Sequence, residues 1–384
     1  MVGGGVVGSA IASFLRREPR FDSSVVVIER DATYARASSA LSASSIRQQF
    51  STPINIALSQ FGVRFFRAIG TELAVDGAAP AIDLVEPGYL FLASSAGRAT
   101  MEANHRVQIA EGADVELLEP DELRARFPWL ATDGVTLGSF GRSGEGWFDG
   151  YSLLQAFRRD ARAHGATYID GDVAALERVG GRVTTVRLAN GDTIECGAVV
   201  NAAGPWAARI AAMLEIDLPV RARRRCVFAV DARARLEPCP LVIDTSGTYF
   251  RPEGSGFICG ISPPEELDFD DLPLVPDRAE FDEWVWPALA ERVPAFEALK
   301  VTSSWAGYYD FNTFDQNGIV GPHPEIENFY FANGFSGHGL QQSPAVGRAV
   351  AEHIAVGAYR SLDLSPLGFE RILAGRPFVE RNII

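Results

Sequence analysis

Lysine is almost absent: among 35 basic residues in a chain of 384, Lys300 is the single lysine and all the others are arginine. Cysteine is scarce as well. Cys196, Cys226, Cys239 and Cys259 form no CxxC pair, and five scattered histidines supply no ligand spacing, so neither a disulfide framework nor a metal site is expected. That usage fits reducing, cytoplasmic surroundings. No apolar run approaches the roughly 20 residues of a membrane span, and residues 1–15 lack the basic start and cleavage site of a secretory signal, so no membrane span is expected. Positive charge is in deficit overall, with 49 acidic residues and a formal charge of −14, which makes nucleic acid an unfavourable partner. The one basic run, residues 221–225 (RARRR), directly precedes an apolar stretch and reads as a solvated strand entry. What remains is ordinary globular composition, 47% hydrophobic and 22% charged, long enough for about two to three domains, one of them discontinuous.

The chain opens on G-x-G-x-x-G at Gly3, Gly5 and Gly8, with Val6 and Val7 between the last two and then small and apolar residues at helical spacing. This predicts a strand-to-helix turn. Gly3 permits the tight turn, Gly5 lets backbone approach a pyrophosphate, and Gly8 lets the helix pack closely on the strand. A second strand over 24–28 ends in Glu29 and Arg30, and Glu29 stands where an acidic side chain receives ribose hydroxyls. Only Met1 and Val2 precede the first glycine, so the first strand is either very short or lacks residues at the sequence start.

A glycine fingerprint serves NAD and FAD alike, and the rest of the chain decides between them. Residues 33–50 are small and Ser-rich, including Ser38, Ser39, Ser45 and Ile46, and suit a loop lying against a cofactor rather than a packed helix. Residues 169–173 form a strand ending at Val173. A ribbon with turns at 180–181 and 190–192 follows, and then a strand closing on Ala202, Ala203, Gly204, Pro205 and Trp206, where backbone approaches a ligand. Near the C-terminus a strand over 329–333 leads through the glycine-rich loop 334–339 into a helix over 340–354, with Pro344 in its first turn. A second helix start would thus face a ligand, and in a flavin site its dipole would stabilise negative charge on the reduced ring.

These residues carry a resemblance to the D-amino-acid oxidase and sarcosine oxidase superfamily of FAD enzymes. The pattern is GxGxxG with a following Glu-Arg, a strand ending A-A-G-x-W at 202–206, and the closing G-x-S-G-H-G at 334–339. Segments 45–50, 305–318, 337–342 and the ending 382–384 resemble a mitochondrial branch linked to assembly of a respiratory complex; without a presequence, a bacterial homologue is the expected reading. The resemblance implies an α/β fold: a Rossmann-type FAD-binding domain from 1–80, 145–215 and 305–384, and a substrate domain of antiparallel β-sheet plus helices from 81–144 and 216–304. Strands within 222–262 and an apolar-striped helix over 278–293 fit that division.

The implied chemistry is oxidation of the C–N bond of a small amine or amino acid by hydride transfer to flavin N5. The alternative is a flavin-containing assembly factor with little turnover. Carboxylate capture favours a planar arginine, and two are candidates. Arg47 stands first, although it could instead be a flavin-loop residue; Arg251 either faces the ring or points at solvent. Tyr249 matches a position held over the substrate in sarcosine oxidase. Tyr308 and Tyr309 stand where a covalently flavinylated cysteine would lie, so FAD is expected to be non-covalent. His338, between Gly337 and Gly339, reads as an orienting residue ahead of a catalytic one, and Gly307, Leu340 and Gln341 complete the expected cofactor contacts. Two departures matter: the strand over 257–262 lacks the oxygen-activating lysine, and Gln341 replaces a carboxylate-binding lysine. Sarcosine and rapid oxygen use are therefore disfavoured, and a dehydrogenase passing electrons to an acceptor protein or a quinone is expected.

Overall fold

The computed structural model describes residues 1–381; the ending 382–384, part of the resemblance, lies outside the described residues. The chain folds as a mixed α/β structure around two bodies of sheet. In the first, Val26–Glu29 runs parallel to Thr167–Asp170, and Val199–Asn201 runs parallel to Phe329–Asn333, which pairs antiparallel with Ile319–Pro322. Val2 stitches the two halves by parallel bridges to Ile28 and Asn201, so the expected first strand is a single bridging residue. Val25, Val27, Ile28, Val199 and Val200 are all buried, as parallel strands covered on both faces require. The helix Val6–Arg17 packs between the helices Gly339–Val356 and Gly150–Ala163.

The second body is one eight-stranded sheet. Its order is Lys300–Asn312, Val220–Asp231, Gly256–Gly260, Tyr249–Glu253, Leu241–Ile243, Tyr89–Ala93, Leu137–Gly141 and Val115–Leu118, antiparallel except where Leu241–Ile243 meets Tyr89–Ala93. Aromatic residues fill its covered face, with Phe250 edge-on to both Phe257 and Phe296. The change of domain expected at 305 falls inside the continuous thirteen-residue strand Lys300–Asn312, which pairs with Val220–Asp231 along its length.

Several local expectations are corrected. Residues 33–50 are not loop throughout: Ser38–Leu41 makes one helical turn, and Ser45–Ile46 pairs with Gly146–Trp147. The stretch expected as one helix over 278–293 is helical but irregular, with a π-helical segment Phe281–Val285 between Arg278–Glu280 and Trp286–Arg292. The last long helix starts at Gly339, which puts Pro344 in its second turn rather than its first. The Leu340 carbonyl that Pro344 cannot serve accepts a hydrogen bond from Ser343 Oγ at 2.9 Å. Nor is the run 221–225 a solvated entry. Arg221 and Arg223 pair with Asp270, Arg223 and Arg225 with Asp268, and Arg224 with Asp277, so the acidic segment 265–277 lies strapped across it.

Candidate functional site

One cavity runs from the first glycine turn to the face of the large sheet. At its first end Gly3 has φ +100°, and a Cβ there would come within 2.3 Å of the Ala202 carbonyl. Gly8 plays its part from outside the cavity: a Cβ on it would lie 2.1 Å from the Gly3 oxygen, so only glycine lets the helix sit on the turn. Glu29 is fixed by two backbone donors, Gly4 N at 2.8 Å to one oxygen and Asp31 N at 3.0 Å to the other. The helix that starts at Val6 has no acidic residue in its first turn and no side-chain cap from Gly5, which leaves its positive end for an anion. Ser39 Oγ accepts from Val6 N at 3.1 Å.

Gly3, Gly5, Val6 and Val7 line this end together with Glu29, Arg30, Ser38 and Ser39. Val173, Ala202, Ala203, Gly204 and Trp206 close it from the other side. The Arg30 guanidinium lies 3.5 Å over the Trp206 ring.

The far end is bounded by Ser45, Gly307, Gly337, Gly339, Leu340 and Gln341. Here the start of Gly339–Val356, again without acidic residues in its first turn, meets the large sheet. Gln341 holds the wall in place, its Oε1 accepting from Arg47 N at 3.0 Å and from Ser59 Oγ at 3.1 Å. Ile46, expected at the cofactor, is wholly buried in the apolar core instead. A glycine-walled groove beneath one helix start, an acidic acceptor at a strand end and a second helix start at the far wall fit an elongated dinucleotide carrying a pyrophosphate.

The candidate catalytic residues separate. Arg47 is buried and lines the cavity, with Nη2 2.9 Å from His338 Nε2 and its guanidinium over the rings of Phe50, Tyr89 and Phe91. An arginine only donates, so His338 Nε2 is the acceptor and the ring is neutral. Burial first, and the neighbouring Arg47 charge second, hold the imidazole well below its usual range.

Tyr249 lines the cavity, opposite Gly260, where a Cβ would lie 2.8 Å from the phenol oxygen. Arg251 does not line it. Two residues further along the same face, its Nη2 donates to the Ala43 carbonyl at 2.9 Å and its Nη1 meets Glu253, so it is not placed to hold a substrate carboxylate. Tyr308 lines the cavity with its ring edge-on to Trp206, but its hydroxyl donates to the Leu272 carbonyl at 2.6 Å.

Sequence reading passed over Tyr89, Arg225 and Asp310 as site residues and took Tyr309 only as the place of an absent covalent flavin link; all four stand on the cavity wall. Tyr309 points the opposite way from Tyr308, as successive strand residues must, and its ring occupies the space a Cβ on Gly337 would need. Burial pushes the phenols of Tyr89, Tyr249 and Tyr309 up. It also raises Asp310 to about 6, against hydrogen bonds from backbone amides that include Phe335 N at 3.1 Å. The usable signals were the tyrosine pair 308–309 and the basic run, each of which read as something else.

The sequence model of a family described as FAD dependent oxidoreductase matches residues 1–353. The chain belongs to this family. FAD-dependent oxidoreductase domain-containing protein 1 of Xenopus laevis is 47% identical to it over 422 aligned residues, spanning 100% of this chain and 84% of that protein. Mitochondrial dimethylglycine dehydrogenase of Mus musculus is 24% identical across 93% of this chain but 42% of its own length. A solved structure of L-proline dehydrogenase from P. horikoshii superposes with a TM-score of 0.86 at 27% identity, covering 98% of this chain and 97% of that one. In this FAD-dependent oxidoreductase the two helix starts, Glu29 and the glycine walls are the groups that fit the cofactor. No helix among the described residues is long and apolar enough to cross a membrane.

Proposed function

We propose that this FAD-dependent oxidoreductase oxidises the C–N bond of a small amino acid or amine and passes the electrons to an acceptor other than oxygen. The observation that carries this reading is the far end of the cavity, where Tyr89, Tyr249 and Tyr309 stand with Arg225 beside the second helix start. FAD, when bound, supplies the hydride acceptor. The chain's own residues bind and orient. Phenols kept protonated by burial donate hydrogen bonds, and the desolvated wall favours an uncharged amine, the form whose nitrogen lone pair assists loss of hydride from the adjacent carbon. Arg47 keeps His338 neutral and fixed, an orienting role.

The likeness to an L-proline dehydrogenase supports both the substrate class and the dehydrogenase half of the proposal. So does the position of Lys300: it is exposed at the start of its strand and absent from the cavity wall, so no lysine stands beside the ring to stabilise the anion formed as oxygen is reduced.

The test is anaerobic mixing of the FAD-loaded enzyme with N-methyl amino acids and D- and L-amino acids while flavin absorbance is followed. Bleaching by one chemical class supports the proposal. If none bleaches while a pull-down recovers respiratory subunits, the assembly-factor reading replaces it. Reoxidation of the substrate-reduced enzyme is expected to be slower with air than with a quinone analogue, and rapid stopped-flow reoxidation by oxygen would overturn the dehydrogenase half.

A further inference from the structure

We propose that Arg225 is the group that receives the substrate's carboxylate, an assignment that rests on the amine-oxidoreductase reading above. The cavity wall carries five arginines. Arg30 and Arg36 lie over Trp206, and Arg209 pairs with Asp172, all at the end bounded by the first glycine turn. At the tyrosine end stand Arg47, donating to His338, and Arg225.

The Arg225 fork is held in a definite orientation. Its guanidinium lies 5.0 Å over the Tyr309 ring, while Nη1 and Nη2 donate to the two oxygens of Asp268 at 2.7 and 2.9 Å, and Nη1 also donates to the Arg224 carbonyl at 2.8 Å. Those bonds consume the end of the fork. The side edge, made of Nε–H and the second Nη2 hydrogen, has no acceptor: Nε is a buried donor without a partner among the described residues, and the side chain is only 10% exposed. An unmet pair of parallel donors on a buried, planar cation is the complement of a carboxylate. Leaving such a donor unmet is costly, so the site favours a ligand that supplies the missing oxygens.

The strand register places this arginine at the cavity: Arg225 stands opposite Gly307, and both line the wall. A Cβ on Gly307 would come within 2.9 Å of the Leu41 Cβ, so the glycine lets Leu41 pack against this part of the wall. Asp268, on the strap, is a positioning residue: it turns the fork rather than meeting the ligand.

The test is calorimetric titration of the FAD-loaded enzyme with benzoate, a carboxylate on a flat apolar ring, and with benzamide, its neutral counterpart. The wild type is expected to bind benzoate at least about tenfold more tightly than benzamide. Arg225→Gln should weaken benzoate on the order of 100-fold and leave benzamide unchanged, the loss of a desolvated charge-assisted pair. Arg225→Lys keeps the charge without the planar fork and should weaken benzoate about tenfold; it also decides the matter if Arg225→Gln fails to retain FAD. Benzoate affinity within about threefold of wild type in a variant that keeps its FAD would overturn the assignment. A wild type that is bleached by an amino acid while Arg225→Lys shows unchanged KM loses only the Arg225 assignment. A wild type that neither binds benzoate nor is bleached by any amine overturns the functional reading together with it.

Discussion

Glu145 is a fully buried carboxyl that accepts from Gln48 N at 2.6 Å and Gln49 Nε2 at 2.7 Å, yet burial still raises it to about 7. A carboxyl raised in the folded state contributes its full stability below its ordinary value of 4.5 and loses it as pH climbs through about 7. The stability gap between wild type and Glu145→Gln, read from urea unfolding, should therefore shift against the wild type by about 3 kcal/mol between pH 4.5 and pH 8. His338 works in the other direction. Its depressed value makes the unfolded chain the better proton binder below pH 6.5, so stability falls as pH drops from there. Arg47→Met removes the second cause of that depression and should flatten the acid limb of the stability curve. An unchanged limb would mean that burial alone sets it. Arg251, which does not line the cavity and donates to the Ala43 carbonyl, should alter ligand affinity less than about twofold when changed to Gln and should instead lower the melting temperature, the loss of a buried hydrogen bond.

At the scale of elements, function depends on how closely backbones approach. The first helix can rest on the first turn only because Gly8 lacks a side chain, so Gly8→Ala must push the helix away from Gly3 and open the groove floor. Most of the flavin should then be lost on desalting, read as the ratio of flavin to protein absorbance, while the large sheet, built from other residues, stays folded by circular dichroism. The last long helix solves a different problem. Pro344 cannot donate to Leu340, and Ser343 serves that carbonyl instead, so Ser343→Ala should cost about 1 kcal/mol by denaturant melting. A loss near zero would show that water reaches the carbonyl.

For the whole molecule, the thirteen-residue strand Lys300–Asn312 ties the two bodies of sheet together, because it belongs to the large sheet along its length and ends beside the loop that precedes the last long helix. We propose that the discontinuous division into a cofactor part and a substrate part holds apart from this shared strand. The cofactor, gripped by backbone and by helix ends, should be held without a covalent bond. Acid or heat denaturation should leave a yellow supernatant whose mass matches FAD, and flavin that stays with the precipitate would contradict this. Free FAD at 100 times its Kd should stabilise the protein by about 2.7 kcal/mol through mass action.

What the sequence determined by itself was whatever depends on local backbone chemistry. Gly8 is required by its contact with the Gly3 carbonyl inside the same strand-turn-helix unit and Gly3 by its own positive φ, Glu29 follows from the length of that unit, and the helix at 339 follows from its glycine-rich approach. The tertiary structure alone decided which side chains face the cavity's far end. Arg225 looked like one of five residues in a solvated run, because nothing in the run announces that residues 265–277 would fold across it or that the strand would pair Arg225 with Gly307. Arg251 looked like a site residue because its segment was expected to face the ring, but two residues of strand beyond Tyr249, roughly 7 Å, carry it off the cavity wall, where it donates to the Ala43 carbonyl. Turn chemistry acts over a few residues and can be read from sequence; the register between strands about 80 positions apart is set by packing of the whole sheet, and a short motif does not record it.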